Sequence, residues 1–300
     1  MSKVVEEVEY LAVPAGGTQF YQGYNVEEDI ERTSSHYEHD PEFFLTFMGS
    51  KWHSYSCDLW EEGFDITQAE EKKFDKFAAL MGLEPGMRIL DVGCGWGGPI
   101  VYLCEKYGAV GHGITISPMQ MPSAESRAAR HGVNVNFEVV HWKNLPENEQ
   151  YDVVYTDEVI THFYDLAEFF TKCYKVLKPG GMMVHKELHL TRAEHAALGP
   201  ASEHVHKLYG YTGNYRPLYR ELQAVDEAGF LLADVFQMSM AHYQKTLDVW
   251  LKNLFDNRER LKDITSPKFY RDFRAYLKAV RMIFTRTELL SCDIYAARKV

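Results

Sequence analysis

The stretch 88–98, RILDVGCGWGG, decides the fold. Its first five residues are mostly apolar and predict a short buried strand, and the spacing of apolar residues over 100–107 predicts a helix directly after the glycines. Glycine permits a sharp turn between the two, and it lets a ligand approach the backbone where a β-carbon would intrude. The order strand, glycine-rich turn, helix indicates an α/β fold with a ligand at the turn.

Short apolar runs alternate with helical patterns after this turn. Helices are predicted at 119–131 and 166–177, and further strands at 109–116, 136–140, 151–156, 182–187, 231–238 and 289–296. Strands that alternate with helices and are buried on both faces indicate a parallel sheet. We therefore predict a Rossmann-like α/β fold: a seven-stranded, mostly parallel sheet with helices on both faces.

The segments outside this pattern are predicted to form a helical cover. Residues 1–66 are interpreted as a helical N-terminal lid, and 67–300 as the α/β domain with inserted cover at about 192–225 and 242–285. The second insertion is predicted to hold two amphipathic helices. The sequence Thr67-Gln68-Ala69-Glu70 matches a capping box in which Thr67 begins a helix that ends at Gly82.

The charge balance and the cysteines narrow the class of protein. In 300 residues, 32 Lys and Arg stand against 43 Asp and Glu, a net charge of −11 that argues against a nucleic-acid groove. Five scattered cysteines without a C-x-x-C pair are typical of a reducing compartment. The acidic N-terminal residues and the lack of an apolar run of about 18 residues lead us to expect a cytoplasmic protein without an integral membrane span.

The glycine pattern alone leaves several ligands open. Gly93, Gly95 and Gly98 satisfy G-x-G-x-x-G, which is typical of nicotinamide dinucleotide sites, and a turn without any ligand is a further alternative. The second predicted strand ends in 113–117, GITIS, where a dinucleotide fold would offer an acid to the ribose. Use of a nicotinamide dinucleotide is therefore disfavoured.

The turn and its surroundings resemble a known family. ILDVGCGWGG at 89–98 together with VLKPGG at 176–181 resembles the class I S-adenosylmethionine (SAM)-dependent methyltransferases, over roughly residues 72–300. The cyclopropane fatty acid synthases are resembled at four places: YSC at 55–57, MGLEPG at 81–86, GITIS at 113–117 and HY at 242–243. The coclaurine-type N-methyltransferases share the scaffold of those synthases. GGP at 97–99 and YTDE at 155–158 with His162 resemble the sterol C-methyltransferases.

The resemblance implies SAM as the cofactor and a role for each matching residue. Gly93, Gly95 and Gly97 would approach the methionine part of SAM, and Asp91 would orient that end. Tyr55 and Ser56 would contact the methionine carboxylate from the lid. Thr115 and Gln120 would lie near the ribose, and the aromatic face of Trp142 would lie against adenine, unless Trp142 is only a half-buried packing residue.

Three residues are candidates for catalysis. Glu158 and His162 follow the fourth predicted strand at its carboxyl end, where open α/β sheets bind ligands, and would serve as base and electrostatic stabiliser. The alternative is that Glu158 only caps or pairs with a local group, while His162 packs against its neighbours. Tyr276 matches a position lining the bicarbonate site of cyclopropane synthases, or is one more residue on an amphipathic face. Those synthases carry Glu, associated with bicarbonate, where this chain has Thr161.

These observations predict an enzyme, a SAM-dependent C-methyltransferase acting on an alkene carbon of a hydrophobic isoprenoid, sterol or fatty acyl substrate. The alternatives are a small-molecule N-methyltransferase, a cyclopropane-forming lipid synthase, and a SAM-binding protein without turnover. A metal site is not expected, because His185 and His189 lack a third ligand at suitable spacing. The basic and aromatic segment 204–220 is either a solvated helix face or a contact for an anionic substrate group.

Overall fold

The glycine-rich turn lies next to the middle of a mixed sheet in a computed structural model that describes residues 25–34, 37, 39–147, 151–192, 215–284 and 288–300. The strands of this sheet are β1 (Arg88–Val92), β2 (Val110–Thr115), β3 (Val135–Val139), β4 (Tyr151–Asp157), β5 (Leu177–Leu190), β6 (Arg216–Pro217), β7 (Phe230–Met238) and β8 (Leu290–Lys299).

The strand order is β3-β2-β1-β4-β5-β8-β7, and the short β6 pairs with β5. Strands β1 to β5 are parallel to their neighbours, while β8 runs antiparallel between β5 and β7. The α/β prediction is confirmed, with each of the seven predicted strands present and the two-residue β6 added. Because β1 lies between β2 and β4, the strand order reverses beside it, and such a switch point is where open α/β sheets bind ligands.

Ten α-helices surround the sheet in the described part of the chain: α1 (Val26–Ser34), α2 (Pro41–Met48), α3 (Ile66–Met81), α4 (Gly98–Tyr107), α5 (Met121–His131), α6 (Leu166–Val176), α7 (Leu218–Glu227), α8 (Met240–Asp256), α9 (Arg258–Ile264) and α10 (Pro267–Ile283). Their packing against both faces buries two apolar clusters, one on each side of the sheet.

The start of α3 differs from the prediction. Asp65, not Thr67, caps the helix: its carboxylate accepts the Gln68 backbone N–H at 2.9 Å, and Gln68 bonds back to the Asp65 N–H at 3.0 Å. The end at Gly82 is confirmed. The earlier start leaves Glu70 on the buried face of α3, where it contacts the cleft-facing loop instead of capping the helix.

The helices from both ends of the chain pack against each other through aromatic rings. On α2, Phe43 lies 4.9 Å from Phe273 of α10, and Phe47 lies 5.9 Å from Trp250 of α8. The segment 242–285 holds parts of three helices rather than the two predicted, because α8 ends at Asp256 and the short α9 precedes α10. This aromatic contact joins the N-terminal and C-terminal segments into one apolar cluster.

The other predicted cover is only partly described. Of the segment 192–225, residues 193–214 lie outside the described residues, and with them most of the basic and aromatic stretch. Arg216 is described, and its guanidinium donates to the backbone carbonyl of Phe163 at 2.7 Å. Across the ranges that the structure describes, we find no helix with the length and apolar character needed to cross a bilayer.

Candidate active site

A cleft lies at the carboxyl ends of β1, β2 and β4, and it encloses about 1000 Å³ of space that no atom fills, including the part open to solvent. Its walls come from the glycine turn, the loops that follow β2 and β4, and the N-terminal loop at 53–56. The sequence-predicted residues that line it are Tyr55, Ser56, Asp91, Gly93, Gly95, Thr115, Gln120, Trp142, Glu158 and His162.

The glycine turn is hydrogen-bonded to β2, and at one of its glycines the space that a β-carbon would occupy is open to the cleft. The backbone N–H groups of Gly93 and Cys94 both donate to the Ile114 carbonyl, at 2.8 and 2.9 Å. At Gly93 a β-carbon would meet Val159 at 2.6 Å, whereas at Gly95 the nearest atom would be Gln120 Nε2 at 3.9 Å. Gly95 is therefore the point at which the cleft reaches the backbone.

Gly97 has a different place from the one predicted for it. It caps α4 with a φ of +75°, and a β-carbon there would lie 2.9 Å from Ala124 of α5 and from the Phe137 ring. It is not among the residues that line the cleft. Its lack of a side chain permits close packing between α5 and the turn, and the implied contact with SAM stays a prediction.

Asp91 is buried at the base of the cleft. The strand register places it between Gly113 of β2 and Tyr155 of β4, and it accepts the Tyr155 hydroxyl at 2.7 Å. Burial raises the pKa of Asp91 to about 7, although the bond from Tyr155 lowers it. A carboxyl group in this position can accept a hydrogen bond from a ligand that reaches β1.

The wall formed by β2 and the segment after β3 holds polar atoms without a protein partner. Thr115 donates its hydroxyl to Gln120 Oε1 at 2.8 Å. Ser117 Oγ and Trp142 Nε1 are buried in the cleft wall, and neither has a hydrogen-bond partner in the described part of the chain. Buried polar groups normally have partners, so these two atoms point to a ligand with polar groups. Trp142 also packs on Phe163, with ring centroids 5.4 Å apart.

The N-terminal loop is held at the cleft by Glu70 of α3. Its carboxylate accepts the Ser50 hydroxyl at 2.7 Å and the backbone N–H groups of Trp52 and Ser54 at 3.2 and 2.7 Å. Burial, followed by the nearby charge of Asp58, raises the pKa of Glu70 to about 8.

Lys73, one helical turn after Glu70, begins a chain of buried charges. Its ammonium lies 3.1 Å from Asp58 and 2.9 Å from Asp157, and it donates to the Ser56 hydroxyl at 2.6 Å. Asp157 in turn lies 3.0 Å from Lys186, and the two lysine side chains are 0% exposed. The two lysines outweigh the burial and hold the pKa of Asp157 well below its usual range.

Glu158 lies at the end of this chain and faces the cleft. It has a φ of +57°, which a non-glycine residue rarely adopts and which is often found at functional sites. Its Oε1 accepts the Cys57 backbone N–H at 2.9 Å and a short hydrogen bond from Lys186, and its Oε2 accepts the Tyr243 hydroxyl. Three donors from three segments thus fix one carboxylate at the cleft wall.

His162 and Tyr276 are placed differently from Glu158. His162 ends a short 3-10 helix, Ile160–His162, and lines the cleft, but the left-handed turn at Glu158 separates the two rather than a helix on which they would share a face. Tyr276 of α10 does not line the cleft. It is hydrogen-bonded to Tyr55, which does, and burial raises the pKa of Tyr276.

Ser56 is engaged within the protein. Its hydroxyl donates to Asp157 at 2.6 Å and accepts from Lys73. The implied contact between Ser56 and the methionine carboxylate of SAM stays a prediction, and these two bonds do not favour it, because the hydroxyl proton is already donated to Asp157.

Sequence reasoning missed Lys73, Asp157, Lys186 and Tyr243. A signal existed for Lys73, because the spacing of Glu70, Lys73, Phe74 and Phe77 puts two charged residues on the apolar face of a predicted helix, and such residues seldom lack a partner. Asp157 and Tyr243 belong to the motifs YTDE and HY that carry the family resemblance, but neither motif predicts a contact for its side chain. The contact of Tyr243 with Glu158 joins residues 85 apart in the sequence, and no local pattern predicts that contact.

The cleft has a marked charge character. Asp29, Asp91, Asp157 and Glu158 line it, and neither Lys nor Arg does within the described residues. Lys73 and Lys186 compensate the charges of Asp157 and Glu158 from behind the wall, and the raised pKa of Asp91 leaves its carboxyl partly protonated at neutral pH. In the same part of the chain, no group of three or more His, Cys, Asp or Glu could hold a metal ion.

Comparison with known proteins gives one family match. Residues 24–294 match the family described as mycolic acid cyclopropane synthetase. A probable fatty acid methyltransferase of Pseudomonas putida is 26% identical over 264 residues, 86% of this chain and 66% of that protein, so the chain spans about two thirds of its length. The methoxy mycolic acid synthase MmaA3 of Mycobacterium tuberculosis is 27% identical over 288 residues, 90% of this chain and 96% of that protein.

One solved structure shows the same architecture. The mycolic acid cyclopropane synthase CmaA1, complexed with S-adenosylhomocysteine (SAH) and CTAB, superposes with a TM-score of 0.80 over 90% of this chain and 98% of that one. The sequences are 23% identical, so this likeness establishes the fold.

Proposed function

The chain belongs to the mycolic acid cyclopropane synthetase family, and from this premise we propose that it transfers the methyl group of SAM to an alkene carbon of a hydrophobic substrate, an isoprenoid, sterol or fatty acyl chain. The family makes the protein a SAM-dependent enzyme of the methyltransferase and cyclopropane synthase group. The alkene acceptor and the class of lipid are the proposal.

The residues of the cleft fit SAM. Gly95 lets a ligand reach the backbone, and the unpartnered Ser117 Oγ and Trp142 Nε1 are available to a nucleoside with several polar groups. The Asp91 carboxyl, at the base of the cleft, can accept a hydrogen bond from the ammonium group of the cofactor. On this basis Asp91, Gly95, Thr115, Gln120 and Trp142 would hold SAM, and its sulfonium would supply an already activated methyl group.

The geometry of Glu158 carries the proposal. An alkene carbon that gains a methyl group leaves a cationic neighbour, which a carboxylate stabilises and which becomes neutral when a base removes a proton. Tyr243, Lys186 and the Cys57 N–H orient the Glu158 carboxylate at the cleft wall, and a base held in one position acts without the cost of reorganisation. We assign the proton transfer to Glu158.

The remaining side chains exclude water and position the acceptor. Tyr55 lines the cleft, and its ring is held there by stacking on Trp250, with ring centroids 5.1 Å apart, and by a hydrogen bond with Tyr276. Aromatic faces stabilise a nearby cation and repel water, which would otherwise compete for it. His162, also in the cleft wall, is proposed as a second stabilising group.

Formation of a cyclopropane ring is the second candidate, because relatives in this family are named as mycolic acid and cyclopropane synthases. It requires the same first transfer, but the proton then leaves the transferred methyl carbon as the ring closes. Thr161 stands where the cyclopropane synthases carry Glu. The Glu158 carboxylate is the base that this chain offers in either reaction.

A label on the methyl group distinguishes the candidates. The enzyme is incubated with SAM bearing a trideuterated methyl group and a pooled lipid extract, and the products are analysed by mass spectrometry. Methylation with loss of a substrate proton retains all three deuterium atoms, whereas ring closure retains two. Label confined to amines would support the N-methyltransferase alternative, and binding of SAM without any labelled product would support the binder without turnover.

A further inference from the structure

His53 is one of two non-glycine residues in the described part of the chain with a positive φ, and the other is Glu158. Both line the cleft. His53 has a φ of +56°, a conformation that costs free energy in a residue with a β-carbon and that persists only where the surroundings enforce it.

Arg127 of α5 enforces this conformation. Its buried guanidinium donates to the Lys51 carbonyl at 2.6 Å and to the Trp96 carbonyl at 3.1 Å, so it joins the N-terminal loop to the glycine turn. The loop also presses on Gly98, where a β-carbon would lie 1.9 Å from the Trp52 carbonyl oxygen. His53 is thereby held beside the turn that we assign to the cofactor.

The same guanidinium sets the protonation of the imidazole. It lies 2.6 Å from His53 Nδ1, and because a guanidinium only donates, Nδ1 must be the acceptor. Burial, followed by the charges of Arg127 and Arg130, lowers the pKa of His53 to about 4. At neutral pH the ring is therefore uncharged and its single N–H is on Nε2.

The other donors near this point are already engaged. The Ser54 and Ser56 hydroxyls bond to Lys73 and to Asp157, and Tyr55 bonds to Tyr276. The hydrogen bond that the described residues make to the His53 ring is the one to Nδ1, and the ring lines the cleft, so Nε2–H is open to a ligand there. With neither Lys nor Arg in the described lining, a carboxylate that enters the cleft must be bound by neutral donors.

We propose that His53 is a further cofactor-binding residue, whose Nε2–H donates a hydrogen bond to the carboxylate of the methionine part of SAM. This inference rests on the proposed use of SAM. It gives the carboxylate a neutral donor in a cleft lined by acids, and it explains why a histidine is kept in a left-handed conformation there. A hydrogen bond to a charged group contributes about 10- to 100-fold to an affinity.

The test compares SAM with methylthioadenosine, which lacks the amino-acid part, by titration calorimetry of the full chain. His53→Phe is expected to weaken SAM binding about 10- to 100-fold and to leave methylthioadenosine binding unchanged. His53→Gln, whose amide can accept from Arg127 and donate to the carboxylate, is expected to restore most of the SAM affinity. Equal losses for both ligands in His53→Phe would overturn the proposal, because they would indicate a purely structural role.

A second measurement needs no variant. In ¹H–¹⁵N spectra of the wild-type protein we expect the Nε2–H tautomer of His53 before any ligand is added, and a shift of its signals with SAM but not with methylthioadenosine. An Nδ1–H tautomer, or the same shift with both ligands, would contradict the proposal. If the wild-type protein binds neither ligand, the proposed use of SAM fails, and that result is distinct from the failure of His53 alone.

Discussion

Tyr243, on α8, donates its hydroxyl to the carboxylate of Glu158 at the end of β4. The contact joins the C-terminal helices directly to the proposed base. Since Glu158 also accepts from the N-terminal loop at Cys57 and from β5 at Lys186, its position depends on three separate segments of the fold. Changes in those segments should therefore alter catalysis through the geometry of a single carboxylate.

Replacement of the proposed base gives the first prediction. Glu158→Gln keeps the size of the side chain and its acceptor for Tyr243 or Cys57, but it cannot take up a proton. We expect turnover to fall by about 10²- to 10⁴-fold while the affinity for SAM is nearly unchanged. Single-turnover rates with the labelled cofactor, together with calorimetric binding, measure the two effects separately.

Tyr243→Phe is the matching test of orientation. It removes one donor and leaves the carboxylate able to accept a proton, so we expect a smaller loss of turnover than in Glu158→Gln, by about tenfold. A Glu158→Gln enzyme that turns over at the wild-type rate would remove Glu158 from the mechanism, whatever the result for Tyr243→Phe.

A pair of glycine variants tests where the cofactor approaches the backbone. Gly95 and Gly82 have φ values of +53° and +59°, and neither has a close obstacle to a β-carbon, but only Gly95 lines the cleft. Alanine should cost about 1 kcal/mol of stability at each position. We expect Gly95→Ala alone to weaken SAM binding, by at least about tenfold.

The comparison separates strain from steric obstruction, since the backbone strain is shared. Thermal unfolding should give similar losses of stability for Gly95→Ala and Gly82→Ala, while calorimetry should give different affinities for SAM. Equal affinities for SAM in the two variants would show that the cofactor does not approach Gly95.

The layout of the sheet could be predicted from local patterns because each strand carries its own signal. Arg88–Val92 was predicted with the bounds that the structure shows, since the glycine turn directly after this short apolar run determines where the strand ends. Most of the cleft-lining residues could be predicted in the same way, because they come directly after strands, at the edge of the sheet where ligands bind. The cap of α3 was misplaced by two residues because Asp65 with Gln68 and Thr67 with Glu70 have the same spacing, and Glu70 instead accepts hydrogen bonds from the loop at 50–54.

The environment of the proposed base was not predictable in this way. Lys186 faces Glu158 because β5 lies next to β4, and Tyr243 reaches it from a helix that follows β7. Likewise, the proposed role of His53 depends on its hydrogen bond from Arg127, which is 74 residues away in the sequence. Contacts of this kind depend on tertiary packing, and one sequence without its fold does not contain a periodicity that reveals them.

Lys73 provides a prediction about stability. It pairs with Asp58 and Asp157 in the interior, and Lys73→Met would leave the buried Asp58 carboxylate without its cation and Asp157 with Lys186 alone. Removing one side of a buried ion pair costs about 3–5 kcal/mol. The matched control is Lys252→Met, which breaks the exposed pair with Asp256 and should cost less than about 1 kcal/mol. Urea unfolding of both variants measures the difference, and similar losses would show that the interior pair is not the stabilising one.

Glu187, on β5 outside the cleft lining, gives the last prediction, on pH dependence. Burial, and then the charges of Glu221 and Glu158, raise its pKa from 4.5 to about 8 in the folded protein. Between these two values the folded state keeps a proton that the unfolded state has lost, so this residue's contribution to stability decreases as the pH rises. The decrease is about 1.4 kcal/mol per pH unit, and it ends once the folded-state group ionises near pH 8. Glu187→Gln has no proton to lose, and so its free energy of unfolding should rise relative to that of the wild type from pH 5 to pH 8 and then stay parallel to it. Urea unfolding of both proteins at each pH measures the difference, and two curves that are parallel across the whole range would show that Glu187 ionises alike in the folded and unfolded states.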